Sequence, residues 1–131
     1  MAVQKAKILL IDDDHFFLDL YALKFKNTGF DVDISANPEE ALEKFRSGSV
    51  YDVVLMDIIM PNLDGFDLMK SIRDEKLLPK ASFIILTNNS EDTEKMKVFN
   101  VDGYIVKATM IPSEVVEKVS QIWKEKFDKQ K

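Results

Sequence analysis

The sequence contains no cysteine and a single histidine, His15. Without thiols there is no disulfide framework, no thiol catalysis and no zinc–thiolate site. With one imidazole there is no cluster of histidine ligands. Apolar runs are only a few residues long, far short of a membrane span. The opening residues, 1–5, hold no apolar stretch of signal-peptide length and no small-residue cleavage site. These absences lead us to expect a cytoplasmic protein with no membrane partner. An excess of positive charge is also missing, since the net charge is −5 over 131 residues. A mildly acidic chain is a poor candidate for holding nucleic-acid phosphates, so direct nucleic-acid binding is not expected.

What remains is an ordinary globular composition, 46% hydrophobic and 31% charged. The length suits one domain with a proper core, and residues 1–131 are read as a single unit. Strand-like and helix-like patterns alternate along it. The strand-like stretches are Ile8–Ile11, Asp31–Ile34, Val53–Met56, Phe83–Leu86 and Tyr104–Val106. In the first helix, Phe16, Phe17, Leu20 and Leu23 are expected on one side, with Asp19, Lys24 and Lys26 polar. Thr28 and Gly29 end it. The second helix has a clear start: Asn37 caps, Pro38 fits the first turn, and Glu39 and Glu40 suit the positive end of the dipole. A third helix follows the turn Pro61–Gly65 and ends near Arg73. The fourth is expected from Glu91 to Phe99, with Ser90 as cap and Asn100 at a positive φ. The last runs from Pro112 to Phe127, and the tail to Lys131 is expected to fray or lead into a linker.

Alternating strands and helices imply a parallel sheet covered on both faces. Strands one, three and four are continuously apolar, as central strands should be. Strand two alternates and strand five is short, which suits edges. The expected class is α/β, a flavodoxin-like doubly wound five-stranded parallel sheet of order 2-1-3-4-5. Ligands in that arrangement sit beyond the carboxyl ends of the strands, near the switch point between strands one and three.

The residues after each central strand carry the chemistry. Asp12, Asp13 and Asp14 follow strand one, Asp57 strand three, Thr87 strand four and Lys107 strand five. Converging carboxylates repel unless something positive sits between them. An oxygen-only cluster suits a hard cation, Mg²⁺ or Mn²⁺, which keeps positions open for a phosphoryl donor. Such an ion neutralises charge on phosphoryl oxygens during transfer. Asp57, centrally placed, is the natural nucleophile. Lys107 can pair with one phosphoryl oxygen and the Thr87 hydroxyl can donate to another.

Four stretches, Ile8–Asp14, Val53–Gly65, Ile84–Thr87 and Asp102–Lys107, resemble the receiver domains of bacterial two-component response regulators. The resemblance covers nearly the whole chain, about residues 6–125, and is specific because four motifs fall in order, each at a strand end. It implies that Asp12 and Asp13 are the acidic pair, with Asp13 the direct metal ligand. It makes Asp57 the phosphorylated aspartate and the Ile59 backbone carbonyl a further ligand. Thr87 and Lys107 take the roles of switch hydroxyl and lysine, and Tyr104 that of the aromatic whose rotamer changes on activation. The implied donor is a sensor histidine kinase or phosphotransfer protein. The implied output is a downstream protein partner or a homodimer through helix four, strand five and helix five. The resemblance implies self-phosphorylation and self-dephosphorylation, not a turnover enzyme.

Positions around the site depart from the family's commonest pattern. Asn88 follows the switch threonine where a small residue is usual. Ala108 follows Lys107 where proline is usual, so a trans bond is expected there. Ile59 and Asn89 occupy the variable positions beside the site. These departures keep open a phosphorylation-independent pseudo-receiver used as a protein-interaction module. A metal-dependent phosphatase would need a separate general acid and a capping element, and the sequence offers neither. A flavin protein would need a Ser/Thr/Gly-rich phosphate cradle after the first strand. Plainer readings stand beside the chemical ones. Asp14 is a start-of-helix charge, His15 a first-turn surface residue, and Tyr104 suits packing at a sheet edge. Val116, Val119, Trp123 and Phe127 form a core stripe on the last helix. Val115 and Ile122 widen that stripe, and Met110 and Ile111 add apolar surface beside it.

Overall fold

The computed structural model describes residues 6–58, 64–87 and 91–129. Expectations placed on Ile59, Pro61, Asn62, Leu63, Asn88, Asn89 and Ser90 lie outside the described residues. Strands and helices alternate in the order β1 (Lys7–Ile11), α1 (His15–Asn27), β2 (Asp31–Ser35), α2 (Pro38–Arg46), β3 (Val53–Asp57), α3 (Gly65–Asp74), β4 (Ser82–Thr87), α4 (Glu91–Met96), β5 (Gly103–Val106) and α5 (Pro112–Lys129). The five strands are parallel and lie in the order β2-β1-β3-β4-β5.

Burial explains the order. Central strands of a sheet covered on both faces read as near-continuous apolar runs, with polar residues kept to their ends. β1, β3 and β4 are buried almost throughout. Side chains alternate across the sheet, so each strand feeds two cores. One core joins Leu9, Ile11, Val54, Met56, Phe83 and Ile85 to α2 and α3 through Leu42, Phe45, Leu68, Met69 and Ile72. The other joins Ile8, Leu10, Leu55, Ile84 and Leu86 to α1 and α5 through Leu18, Tyr21, Phe25, Val115, Val116 and Val119. Each such side chain contributes about 1.5–3 kcal/mol relative to exposure.

The helix starts follow local chemistry. Asp14 caps α1 by accepting from the N–H groups of Phe16 and Phe17 at 3.0 and 3.3 Å. Asn37 caps α2 by accepting from Glu40 N–H at 2.7 Å. Asp64 caps α3 through Asp67 N–H at 3.0 Å. Gly65 donates its N–H to the Ile58 carbonyl at 2.7 Å. A Cβ on Gly65 would stand 2.7 Å from Ile58 Cα, so the backbones meet there because glycine has none. The fourth helix is shorter than expected. It tightens into a 3₁₀ turn over Lys97–Phe99, and Asn100 ends it at φ 56.

The inward side of α1 differs from the sequence expectation. Leu18, Tyr21 and Phe25 are buried, whereas Phe16 and Leu23 stand 75% and 56% exposed. Phe17 and Leu20 are half-buried against the same core. The helix is apolar almost all round, so its own pattern does not select one face. On α5, Val115 belongs to the buried centre beside Val116 and Val119. Trp123 and Phe127 are half-buried and border an open groove of about 460 Å³ that also touches Leu77 and Leu78.

Candidate functional site

Strand register brings the four tips level. Ile11 lies opposite Met56, so Asp12 comes beside Asp57. Asp57 in turn lies opposite Leu86, and Thr87 opposite Val106, which puts Lys107 one step beyond. Side chains separated widely along the chain therefore share one edge of the sheet.

The Asp12 backbone N–H donates to the Ser35 carbonyl at 3.2 Å, tying the tip of β1 to that of β2. Its side chain is 3% exposed. Asp12 Oδ1 accepts from Asp14 N–H at 3.0 Å, and Oδ2 accepts from Lys107 Nζ at 2.9 Å. The same Nζ donates to Asp57 Oδ2 at 3.2 Å. Asp13 is exposed beside them. Asp12, Asp13 and Asp57 each offer one carboxylate oxygen, and these oxygens lie within 4.8 Å of one another.

The electrostatics favour a cation. Three carboxylates and one ammonium make up the cluster, which leaves it net negative. Burial raises the Asp12 carboxyl above its ordinary value; the Asp14 N–H and Lys107 pull it back, and the Asp57 charge pushes it up again. Burial is also the strongest influence on Lys107 and would lower it. The Asp12 hydrogen bond and the charges of Asp57 and Asp12 together outweigh burial, so the ammonium is held above its usual pKa. Hard oxygen donors at this spacing fit a divalent cation such as Mg²⁺.

Thr87 ends β4 and is fully buried. Alternation puts it on the face of Ile85, the face whose core also includes Tyr104. Tyr104 is half-buried on β5. Burial raises its phenol; the Lys97 charge lowers it by less, and Glu94 on α4 adds a smaller push upward. His15 lies exposed on the first turn of α1. Beyond Lys107 the chain forms a 3₁₀ turn, Lys107–Thr109, closed by the Thr109 hydroxyl donating to the Val106 carbonyl at 2.9 Å. Peptide bonds among the described residues are trans, the one before Ala108 included.

Sequence reasoning missed one neighbour of the site. The Phe17 ring lies under Lys107, with Nζ 4.2 Å from its centroid. No pattern in the sequence links these two residues, because Phe17 reads as one more apolar residue of α1.

Comparison with known proteins identifies the family of the chain as a whole. The family model of the response regulator receiver domain matches residues 8–120. The transcriptional regulatory protein ResD of Bacillus subtilis is 32% identical over 120 residues, covering 90% of this chain and 48% of ResD. The chain spans about half the length of the curated relatives it matches. A CheY-like receiver domain protein from Methanospirillum hungatei superposes with a TM-score of 0.85 at 25% identity, covering 96% of this chain and 99% of that one. The response regulator protein TrrA from Thermotoga maritima, solved in complex with Mg²⁺-BeF, gives 0.77 at 34% identity, covering 91% and 99%.

Proposed function

The chain belongs to the response regulator receiver domain family, and from that membership we propose that Asp57 is the aspartate that takes the phosphoryl group. Receiver domains are phosphorylation switches of two-component signalling, not turnover enzymes on an external substrate. The observation that carries the assignment is Lys107 Nζ, at 3.2 Å from Asp57 and 2.9 Å from Asp12, beside three carboxylate oxygens within 4.8 Å of one another.

An Asp57 oxygen attacks the donor phosphorus. The bond from phosphorus to the donor's imidazole nitrogen breaks, and that nitrogen keeps the electron pair. The donor is a sensor histidine kinase or phosphotransfer protein. Asp12, Asp13, Asp57 and the Ile59 carbonyl would hold Mg²⁺ or Mn²⁺, which when bound supplies charge neutralisation at the phosphoryl oxygens. Lys107 transfers its hydrogen bond from a carboxylate to a phosphoryl oxygen. The Thr87 hydroxyl donates a hydrogen bond to another. Water attacking the same phosphorus later frees Asp57 again.

The switch follows from the shared face of Thr87 and Tyr104. Thr87 moving toward the phosphoryl group vacates space that Tyr104 fills. The face made by α4, β5 and α5 then meets a downstream protein partner or a second copy of the chain. We read residues 1–131 as one receiver domain acting in the cytoplasm. Mass spectrometry after incubation with acetyl phosphate and Mg²⁺ tests the assignment. The native chain should gain one phosphoryl group and Asp57→Asn none; an unmodified native chain, or an equally modified variant, refutes it.

A further inference from the structure

Lys107 has a neighbour that is neither acidic nor part of the phosphoryl chemistry. An ammonium carries three N–H donors. Asp12 and Asp57 accept from it at 2.9 and 3.2 Å, and the Phe17 ring faces it at 4.2 Å from the centroid. The ring face carries negative charge density, so it attracts the cation there.

The ring is held from two directions. Its backbone N–H donates to the Asp14 side chain at 3.3 Å, and Asp14 N–H donates to Asp12 at 3.0 Å. Its face stacks on Tyr21, with centroids 4.1 Å apart and planes 25° apart. Tyr21 is itself buried and continues to Phe25. Phe17 is thus locked between the acidic loop and the core below α1.

We infer that Phe17 is a positioning residue for Lys107, whose ring holds the ammonium in place while its acidic partners are exchanged for phosphoryl oxygens. The inference rests on the reading of Lys107 as a phosphoryl partner. During transfer both carboxylates are claimed, Asp12 by the metal site and Asp57 by the new bond. The ring is claimed by nothing, so its contact persists through the step. The side chain then has less freedom to lose when it pairs with the phosphoryl group.

Two changes test this. Phe17→Leu removes the ring but keeps an apolar side chain against the core. A pentafluorophenylalanine placed at position 17 keeps the shape and reverses the charge distribution of the ring. In the native chain the Lys107 ε-methylene protons should resonate upfield of those of exposed lysines, and Phe17→Leu should abolish that shift. Phosphorylation by acetyl phosphate with Mg²⁺ should slow about five- to tenfold in both changed proteins. Native rates with the fluorinated ring would reduce Phe17 to packing and overturn the inference. So would Lys107 protons unmoved by Phe17→Leu. Should the native chain take no phosphoryl group, the reading of Asp57 fails and the transfer role of Phe17 falls with it. The ring-current shift decides the contact independently of that result.

Discussion

Lys107→Met removes the charge that balances the acidic cluster while leaving a flexible apolar chain over Phe17. Asp12 is 3% exposed and Lys107 16%. Removing one partner of a fully buried ion pair costs about 3–5 kcal/mol. Asp12 keeps the Asp14 N–H, and Asp57 at 13% exposed is reached by solvent, so the expected cost is nearer ~2–3 kcal/mol. For a chain of this length that corresponds to a fall in Tm of about 10 °C. The pH dependence has a definite sign. The Asp12 carboxyl is raised above 3.8 in the folded state, chiefly by burial. A raised carboxyl binds its proton more tightly folded than unfolded, so stability falls as pH rises from the unfolded pKa through the folded one. Losing Lys107 pushes that folded pKa higher still. The deficit of Lys107→Met should therefore be largest at neutral pH and shrink on acidification as Asp12 protonates. Thermal melts of both proteins in chelator, at neutral and acidic pH, measure it. A second pair of melts with Mg²⁺ should return part of the loss. A deficit of equal size at both pH values would mean the residue acts by packing, and no deficit at neutral pH would mean its charge does not balance Asp12.

Three further outcomes are expected. Asp13→Asn should weaken Mg²⁺ binding about tenfold or more by titration calorimetry, because an amide oxygen replaces an exposed carboxylate of the cluster; unchanged affinity would exclude Asp13 as a ligand. Gly65→Ala should cost about 2 kcal/mol in urea unfolding, since the added carbon meets Ile58 Cα at 2.7 Å and the Asp57 carbonyl at 3.0 Å, neither of which is a side chain that can swing away. Tyr51→Phe removes a 2.6 Å hydrogen bond to Asp33. Burial works to raise the Asp33 pKa, but Tyr51 and Lys44 outweigh it and the carboxyl is depressed. Its contribution is present above the unfolded pKa and lost as pH falls through the folded one. Tyr51→Phe should thus cost about 1 kcal/mol at neutral pH and less in acid. The Lys44 share is small because the Asp33 side chain is 38% exposed.

Much of this molecule is written in short-range chemistry. The start of α2 is legible because Asn37, Pro38, Glu39 and Glu40 each satisfy a local demand of a helix N-terminus, and Asn37 does accept from Glu40. Asn100 takes its positive φ for a similarly local reason. The sheet order is legible because strands buried on both faces are apolar along their middle positions. The phase of α1 was not legible, since Phe16, Leu23 and their apolar neighbours gave no contrast around the helix. The 3₁₀ turn at Lys107 was not legible either, because the segment carries no strong turn residue.

By itself the sequence determined which residue types stand at the strand tips: carboxylates after β1 and β3, a hydroxyl on β4, an amine after β5. That follows from where the apolar runs stop along the chain. Only the tertiary structure decided that these groups touch. Lys107 lies 95 residues from Asp12 and 50 from Asp57, and it meets them because the four strands β1, β3, β4 and β5 align in register. It also decided that Phe17, an apolar residue among many on α1, is the one beneath the ammonium. Contacts between residues so distant in the chain arise from packing and have no local signature, so neither propensity nor spacing could have fixed them.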